Sequence, residues 1–329
     1  MLLKEIPRIS LANLPTPIEK LVHLGDSIGI DNLWVKRDDL TENAAGGNKI
    51  RKLEYIIADA LEQECDTVIT IGAIQSNHCR QTAAAAAKAG IRCILLLAGE
   101  EPESDIGNLL LDKILGAEVK FYPDDTFHTL PKRMDMVMET LRDFGLNPYA
   151  IPAGGSTPLG CLGYISAMEE LKDQMISKEI DFDKIIVPVG TGGTYAGMIL
   201  GAYVNDIEAD IIGISALYEE DVAERHITDI INRMKTEYPD IVGNAKPKIN
   251  IDDRYLGTGY KDVASGVASA IDMFGKMDAL LLDPIYTGRA GLALMRMALN
   301  GEIESKHNIL FYHTGGTATL SAYASKLWD

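Results

Sequence analysis

A lysine lies on the apolar side of a predicted helix that starts at residue 49. Counting 100° per residue from Lys49 defines an apolar arc about 140° wide, which contains Lys49 together with Ile50, Leu53, Ile56, Ile57, Ala60 and Leu61. The other charged residues of this helix fall outside the arc and are predicted to face away from the core. A buried ammonium tends to lose its proton or to bind an anion, and a neutral lysine amine is a nucleophile toward carbonyl carbons. The alternative is that the side chain of Lys49 reaches water from the edge of the arc.

A glycine-rich turn provides a second candidate for chemistry. It follows an apolar run and precedes a helical segment, and it consists of Gly190, Thr191, Gly192, Gly193 and Thr194. Backbone N–H groups and the positive end of a helix dipole can together hold one phosphate group at such a turn. It is not a Walker A loop, because no lysine follows the glycines. A dinucleotide-binding turn, with Glu219 on the ribose, stays open, although Tyr195 occupies the third glycine position. A turn without any ligand is the third interpretation.

Two more small-residue turns have the same setting between a predicted strand and a helix. Thr314, Gly315, Gly316 and Thr317 repeat the T-G-G-T pattern, and "AIPAGGSTPLG" covers residues 150–160. Ligands of open α/β sheets bind beyond the carboxyl ends of the strands. We therefore expect these turns to build one site.

Four consecutive polar residues separate another apolar run from an alanine-rich helix. They are Gln75, Ser76, Asn77 and His78. Ser76 or Asn77 is a natural N-cap, and donors at a helix start suit a carboxylate. His78 is either a base or a hydrogen-bonded structural residue, and the second role is the commoner one for a lone histidine.

Two tyrosines are candidates for acid or base chemistry. Tyr286 and Thr287 follow the apolar run "ALLLDPI", and Tyr260 precedes another predicted helix. A tyrosine with a lowered pKa can transfer protons. The alternative is a half-buried tyrosine whose hydroxyl is hydrogen-bonded.

Composition excludes several classes of function. The chain has 329 residues and a net charge of −17, which argues against a nucleic-acid partner. Its four cysteines form no C-x-x-C pair and its six histidines form no close pair, so we expect no disulfide and no metal site. No apolar run approaches the length of a membrane span, and the N-terminus lacks the apolar segment of a signal peptide. The sequence predicts a cytoplasmic protein with reduced thiols and no membrane partner.

Short apolar runs alternate with helical segments along the chain, which is the α/β pattern. Strands are predicted over 33–37, 67–73, 93–99, 117–122, 148–153, 184–190, 210–217, 279–285 and 308–314. Helices are predicted over 49–64, 77–89, 105–115, 131–144, 158–177, 194–205, 221–236, 260–275, 288–300 and 316–327. We expect two open, twisted, mostly parallel sheets flanked by helices. Residues 49–162 are predicted to form a smaller domain inserted into a larger one, which consists of 1–48 and 163–329.

A semi-buried lysine, a cradle for one phosphate and a carboxylate-sized polar loop together suit pyridoxal phosphate, whose amino-acid substrate brings the carboxylate. Binding of a dinucleotide would explain the glycines but would leave Lys49 without a role. The sequence also resembles the fold-type II pyridoxal-phosphate enzymes, relatives of the tryptophan synthase β subunit. Within them it resembles most the D-cysteine desulfhydrase and 1-aminocyclopropane-1-carboxylate (ACC) deaminase branch. The motifs run from near residue 14 to 317: "LPTPIEKL", "VKRDDLT", "GGNKIRKLE", "GAIQSNHCRQTAAAAAK", "LGYISA", "LLDPIYTGRA" and "FYHTGGT".

The resemblance implies roles for individual residues. Lys49 would hold the cofactor and then move substrate protons, and Lys52 would bind the phosphate together with residues 190–194. Substrate and cofactor contacts are implied at Gln75, Ser76, Asn77, Tyr260, Tyr286 and Gly315. Thr287 and Thr314 match cofactor-binding positions that are threonine in desulfhydrases, whereas deaminases carry Glu and Leu there.

The implied reaction is β-elimination from D-cysteine, which yields pyruvate, hydrogen sulfide and ammonia. L-Cysteate and ACC are the alternative substrates on the same scaffold. An NAD(P)-dependent oxidoreductase and a non-catalytic amino-acid-binding protein are the alternatives from other classes. The resemblance also implies a homodimer.

Overall fold

The structure is a computed structural model that describes residues 2–257, 263 and 265–327. These residues form two mostly parallel sheets with helices packed on their faces. The predicted α/β fold is therefore confirmed. The proposed division into 1–48 with 163–329 and 49–162 stays a prediction.

The strands assigned among the described residues are β1 (Ile18–Lys20), β2 (Asn32–Arg37), β3 (Thr67–Ala73), β4 (Arg92–Ala98), β5 (Glu118–Tyr122), β6 (Pro148–Ile151), β7 (Lys184–Val189), β8 (Asp210–Ser215), β9 (Ile251–Asp252) and β10 (Asn308–His313). The larger sheet has the order β1-β2-β10-β7-β8-β9, and in it only β1 is antiparallel to its neighbour. The smaller sheet has the order β5-β4-β3-β6 and is parallel throughout.

The α-helices assigned among the described residues are α1 (Val22–Ile28), α2 (Lys49–Glu62), α3 (Asn77–Ala89), α4 (Gly107–Ile114), α5 (Leu130–Asp143), α6 (Pro158–Lys178), α7 (Gly193–Val204), α8 (Glu220–Glu237), α9 (Pro239–Val242), α10 (Val267–Asp278), α11 (Thr287–Leu299) and α12 (Ala324–Leu327). Both faces of each sheet are covered. In β10, Leu310 and Tyr312 belong to one apolar core and Ile309 and Phe311 to another. Such double burial explains why the central strands are nearly continuous apolar runs.

Helix α2 is buried on more sides than its sequence predicts. It packs against α3 on one side and α6 on the other. Arg51 is 2% exposed and binds Asp38 and Glu170, and the carboxylate of Glu54 accepts backbone N–H groups of residues 11 and 12. The expectation that these charged residues face away from the core is wrong, because a second layer covers them.

Several predicted boundaries are also wrong. No strand forms over 279–285, because the carboxylate of Asp283 accepts backbone N–H groups from the next residues and folds the chain into a turn. The predicted helix over 316–327 is a 3₁₀ helix, Thr317–Tyr323, followed by the short α12. The short elements β1, β9 and α1 were not predicted. Helix α10 begins at Val267, and residues 260–262 and 264 of the helix predicted over 260–275 lie outside the described part of the chain.

Candidate active site

One cavity of about 370 Å³ lies at the carboxyl ends of both sheets. Its walls include residues that follow β3, β4, β5, β6, β7 and β10. The predicted site residues that line it are Lys49, Lys52, Ser76, Asn77, Gly190, Thr191, Gly192, Gly193, Thr194, Tyr286, Thr314 and Gly315. The structure thus brings most of the predicted set together at one place.

Lys49 is the first residue of α2, and its side chain is half-buried in the cavity wall. Burial lowers the pKa of its ammonium well below the usual range, the charge of Lys52 lowers it further, and Asp283 opposes the shift. The amine of Lys49 therefore loses its proton more readily than that of an exposed lysine, which favours its use as a nucleophile or base.

The glycine turn after β7 forms a cradle together with the turn after β6. The N–H of Gly193 donates to Oγ of Ser156 at 3.2 Å, and this hydroxyl lies 2.7 Å from Oγ1 of Thr191. Nζ of Lys52 donates to the carbonyl of Gly154 at 3.0 Å. Burial lowers the pKa of Lys52 to about 8. Lys52, Thr191 and the start of α7 thus line the same part of the cavity, where their donors suit an anion, and Ser156 holds the two turns together behind them.

The segment before Lys49 crosses the second T-G-G-T turn in close contact. The N–H of Asn48 donates to the carbonyl of Thr314, and Nδ2 of Asn48 donates to Oγ1 of Thr194. A Cβ on Gly315 would lie only 2.7 Å from Cα of Gly47, and both glycines have positive φ angles, 93° and 121°. The close approach requires glycine at position 315, and the positive φ favours glycine at both positions.

The polar loop after β3 starts helix α3. Ser76 is its N-cap, because Oγ of Ser76 accepts the N–H of Cys79 at 3.2 Å. A Cβ on Gly72 would lie 2.7 Å from Oγ of Ser76, so the glycine lets the loop turn tightly against the strand. Ser76 and Asn77 consequently face the cavity at a helix start, which suits a carboxylate.

His78 also lines the cavity, and its hydrogen bonds define its tautomer. Oγ1 of Thr70 donates to the carbonyl of Ile151 at 2.8 Å, so the same oxygen accepts the Nε2–H of His78 at 2.8 Å. Nδ1 is left with a lone pair and has no partner among the described residues. Burial lowers the pKa of His78 well below its usual range, and the charges of Lys49 and Lys52 lower it further. His78 is therefore a neutral hydrogen-bond acceptor and a weak base.

Tyr286 reaches the cavity at the start of α11. Its ring packs on Gly190, where a Cβ would lie 3.0 Å from Cε1 of the tyrosine. Thr287 does not line the cavity, because its hydroxyl donates to Oδ1 of the buried Asp283 at 2.7 Å. Asp283 also accepts three backbone N–H groups and so caps α11.

Three other residues singled out in the sequence are placed elsewhere. Gln75 does not line the cavity, since its side chain bonds the backbone of residues 106 and 108. Glu219 is exposed and also outside the cavity wall, so it offers no ribose contact there. Tyr260 lies outside the described residues.

Three positions in or beside the site were missed by sequence reasoning. Ser156 lies in the quoted "AGGST" turn, but nothing local distinguishes it from any other serine. Asp283 precedes a proline and a tyrosine, and an Asp-Pro pair is a turn signal that could have revealed it. Asn108 bonds Asn77 across 31 residues, and such a separation leaves no local signal.

Neither a metal site nor a membrane-spanning helix is found in the described part of the chain. Its His, Cys, Asp and Glu side chains form no group of three able to hold a metal ion. None of its helices is both long and apolar enough to cross a bilayer. All four cysteines are free thiols.

Pyridoxal phosphate fits the residues present. A Cβ on Gly193 would lie 2.6 Å from Oγ of Ser156 and 2.8 Å from Nζ of Lys52, so the bare backbone lets both groups approach the start of α7, where their donors suit a phosphate. The low-pKa amine of Lys49 opens into the same cavity and suits the cofactor's aldehyde. The orphaned Nδ1 of His78 adds a polar acceptor in the wall.

Comparisons with known proteins agree with this fit. A sequence model of the family described as "Pyridoxal-phosphate dependent enzyme" matches residues 9–315. A Pyrococcus abyssi protein, provisionally named as an ACC deaminase, is 40% identical over 328 residues, which cover 100% of this chain and 97% of that protein. A D-cysteine desulfhydrase of Klebsiella pneumoniae is 36% identical over 326 residues, which cover 98% and 97%. A crystal structure of an ACC deaminase homologue superposes with a TM-score of 0.89 at 39% identity, over 99% of this chain and 96% of that chain.

Proposed function

This chain belongs to the pyridoxal-phosphate dependent enzymes, and we propose that it is a lyase that eliminates the thiol group of D-cysteine. One D-cysteine and one water would give pyruvate, hydrogen sulfide and ammonia. The observation that carries the proposal is the position of Lys49, whose pKa is lowered by burial, in the same cavity as Gly190–Thr194 and Lys52.

The cofactor would be held by residues from both sheets. Lys49 would hold its aldehyde, the cradle with Lys52 its phosphate, and the hydroxyl of Thr314 its ring nitrogen. When bound, pyridoxal phosphate supplies an electron-withdrawing ring that weakens the bonds at Cα of an attached amino acid.

The protein's own groups would handle the protons. The amine of Lys49 takes the Cα proton, because burial lowers its pKa and so favours the unprotonated form. Ser76 and Asn77 orient the substrate carboxylate at the start of α3. Tyr286, in the cavity wall, donates a proton to the departing sulfur. Residues from both sheets line the cavity, which reduces access of water to these groups.

The charge of the cavity wall favours loss of a thiol over opening of a cyclopropane ring. Among the described lining residues Asp125 is the one carboxylate, and it pairs with Arg133 at 2.9 Å. A carboxylate at the ring nitrogen would strengthen electron withdrawal, whereas a threonine hydroxyl does so less. Elimination of a β-thiolate requires only a carbanion at Cα, which is the milder demand.

ACC deamination is the second candidate, because relatives with that name are similar over the whole chain. ACC keeps four carbons and would give 2-oxobutyrate and ammonia, which makes the two activities easy to separate. L-Cysteate, which would release sulfite, is the third.

The deciding experiment compares four substrates on the purified holoenzyme. D-Cysteine, L-cysteine, L-cysteate and ACC are incubated separately, and sulfide, sulfite, pyruvate and 2-oxobutyrate are quantified. We expect sulfide and pyruvate in equal amounts from D-cysteine, and a loss of at least 1000-fold in Lys49→Ala. Turnover of ACC without turnover of D-cysteine would refute the proposal and establish the second candidate.

Assembly and location are part of the proposal. We expect a cytoplasmic homodimer, whose mass light scattering would measure. Because the junction 162/163 lies inside α6 and the junction 48/49 at the buried start of α2, hydrogen exchange tests the domain division better than proteolysis. We expect residues 49–162 to open as one cooperative unit. A monomer in light scattering would contradict the expected dimer.

A further inference from the structure

A series of buried hydrogen bonds lies behind Asn77, which faces the cavity at the start of α3. Oδ1 of Asn77 accepts a hydrogen bond from Nδ2 of Asn108 at 2.8 Å. The same nitrogen donates to the backbone carbonyl of Gln75 at 3.0 Å. Asn108 lies near the start of α4 and is fully buried.

The orientation of the Asn108 amide follows from its partners. Oδ1 of Asn108 accepts from Nε of Arg80 at 2.8 Å. A guanidinium only donates and a backbone carbonyl only accepts. The amide oxygen of Asn108 must therefore face Arg80, and its nitrogen must face Asn77 and the carbonyl of Gln75.

This orientation determines what Asn77 presents to a ligand. Because Oδ1 of Asn77 is bonded to Asn108, the Nδ2 group is the half of the amide left toward the cavity. Asn77 thus offers hydrogen-bond donors to the cavity, which suit a negatively charged oxygen.

The same series of buried hydrogen bonds continues to the segment that leads into Lys49. Arg80 is fully buried and donates to the carbonyls of Ala44 and Gly46. Residues 42–47 all have positive φ angles, so this segment needs external hydrogen bonds to keep its shape. Arg80 therefore ties the approach to Lys49 to the amide network that orients Asn77.

We propose that Asn108, anchored by Arg80, is a positioning residue that keeps the amide of Asn77 turned as a donor toward an anionic oxygen in the cavity. The oxygen belongs either to the cofactor ring or to the substrate carboxylate. The proposal rests on the role of Asn77 in the proposed function.

The test is Asn108→Asp, which keeps an acceptor for Arg80 and removes the donor to Asn77. Two acceptors then face each other, and the amide of Asn77 turns its oxygen toward the cavity. Asn300→Asp, at an exposed position, is the control for the added charge. The absorption spectrum of the bound cofactor and its pH titration are recorded without substrate, and KM and kcat are then measured with the best substrate.

We expect N108D to change the equilibrium that the spectral titration or KM reports by roughly tenfold or more. This is the effect of losing a hydrogen bond to a charged group. If Asn77 donates to a cofactor oxygen, the pH titration of the spectrum shifts in N108D. If Asn77 donates to the substrate carboxylate, KM rises and the spectrum stays unchanged. In an Asn77→Ala background the additional effect of N108D falls below twofold, because the two residues act as one unit.

Additive effects in that double-mutant cycle, or an N108D protein indistinguishable from N300D in spectrum and KM, would overturn the proposal. A purely structural role would lower thermal stability equally in both backgrounds and leave the cycle additive. The spectral readout requires no turnover, so failure of D-cysteine as substrate would not be confused with failure of this inference.

Discussion

Replacement of Gly193 by alanine probes the anion cradle with a single methyl group. The added Cβ would lie 2.6 Å from Oγ of Ser156, 2.8 Å from Cα of Ser156 and 2.8 Å from Nζ of Lys52. Real Cβ contacts are longer than about 3.4 Å in nearly all cases, so the start of α7 and the turn at Ser156 must separate by several tenths of an ångström. Such overpacking costs about 1–3 kcal/mol.

The groups that must move to accommodate the methyl group are the ones that form the cradle. Ser156 accepts the N–H of Gly193, and Lys52 is 1% exposed with little room to move. Gly193 has an ordinary helical φ, so backbone strain does not contribute. We expect G193A to weaken the binding of pyridoxal phosphate to the apoenzyme by roughly 10- to 100-fold, measured by fluorescence titration.

The control is Gly275→Ala, in helix α10. A Cβ there would meet only Cδ2 of Leu281, at 3.9 Å, which is an ordinary contact. G275A should gain about 0.5–1 kcal/mol of stability, because a helix-interior glycine is replaced, with unchanged cofactor affinity. If G193A bound the cofactor within twofold of the wild type, the proposed phosphate cradle would be wrong.

Three more predictions concern charge. The affinity of the apoenzyme for pyridoxal phosphate should fall by up to about tenfold per pH unit above pH 8, because burial lowers the pKa of Lys52 to about 8 and the neutral amine no longer attracts phosphate. Titrations from pH 7 to 9 should show this slope in the wild type and none in Lys52→Met; a slope retained in K52M would contradict the assignment. Asp38→Asn should cost about 3–5 kcal/mol in denaturant unfolding, because it leaves a buried guanidinium without its main partner. The control Asp272→Asn, a partly exposed residue paired with the exposed Lys276, should stay within about 0.5 kcal/mol, and equal losses in the two variants would show that burial of the Asp38 pair is not the cause. Thr287→Glu should lower the thermal stability and bring no ACC turnover, because its carboxylate would lie against that of Asp283. A stable T287E protein that deaminates ACC would show that this position alone selects the reaction.

The sequence predicted the major fold because its signals are local. Helix α3 has an N-cap serine and a terminal glycine, and it was predicted at its observed bounds, Asn77–Ala89. The predicted strand 279–285 failed because apolar composition cannot reveal a side chain that folds back on its own backbone, as Asp283 does. Strand β9 has two residues, too few for any period.

The candidate site was predictable to the extent that its residues sit at strand ends. Lys49 was found from a periodicity argument, although the same argument misplaced Arg51, whose partners come from distant segments. The resemblance implies that Thr287 contacts the cofactor, whereas in the structure its hydroxyl donates to Asp283. Tertiary layering and long-range hydrogen bonds carry no local signature, and these are what the prediction lacked.

The contact between Gly47 and Gly315 restricts which substitutions these two positions can accept during evolution. A methyl group on Gly315 would meet the backbone of Gly47, one on Gly47 would meet the side chain of Gln81, and both residues have a positive φ. A replacement at Gly47 cannot relieve Gly315, since Gly47 already has no side chain to shorten, and a shorter residue at Gln81 would leave the positive φ of Gly47 unchanged. Single mutations therefore cannot lead away from this pair, and a library randomised at both codons should return glycine at both among active clones.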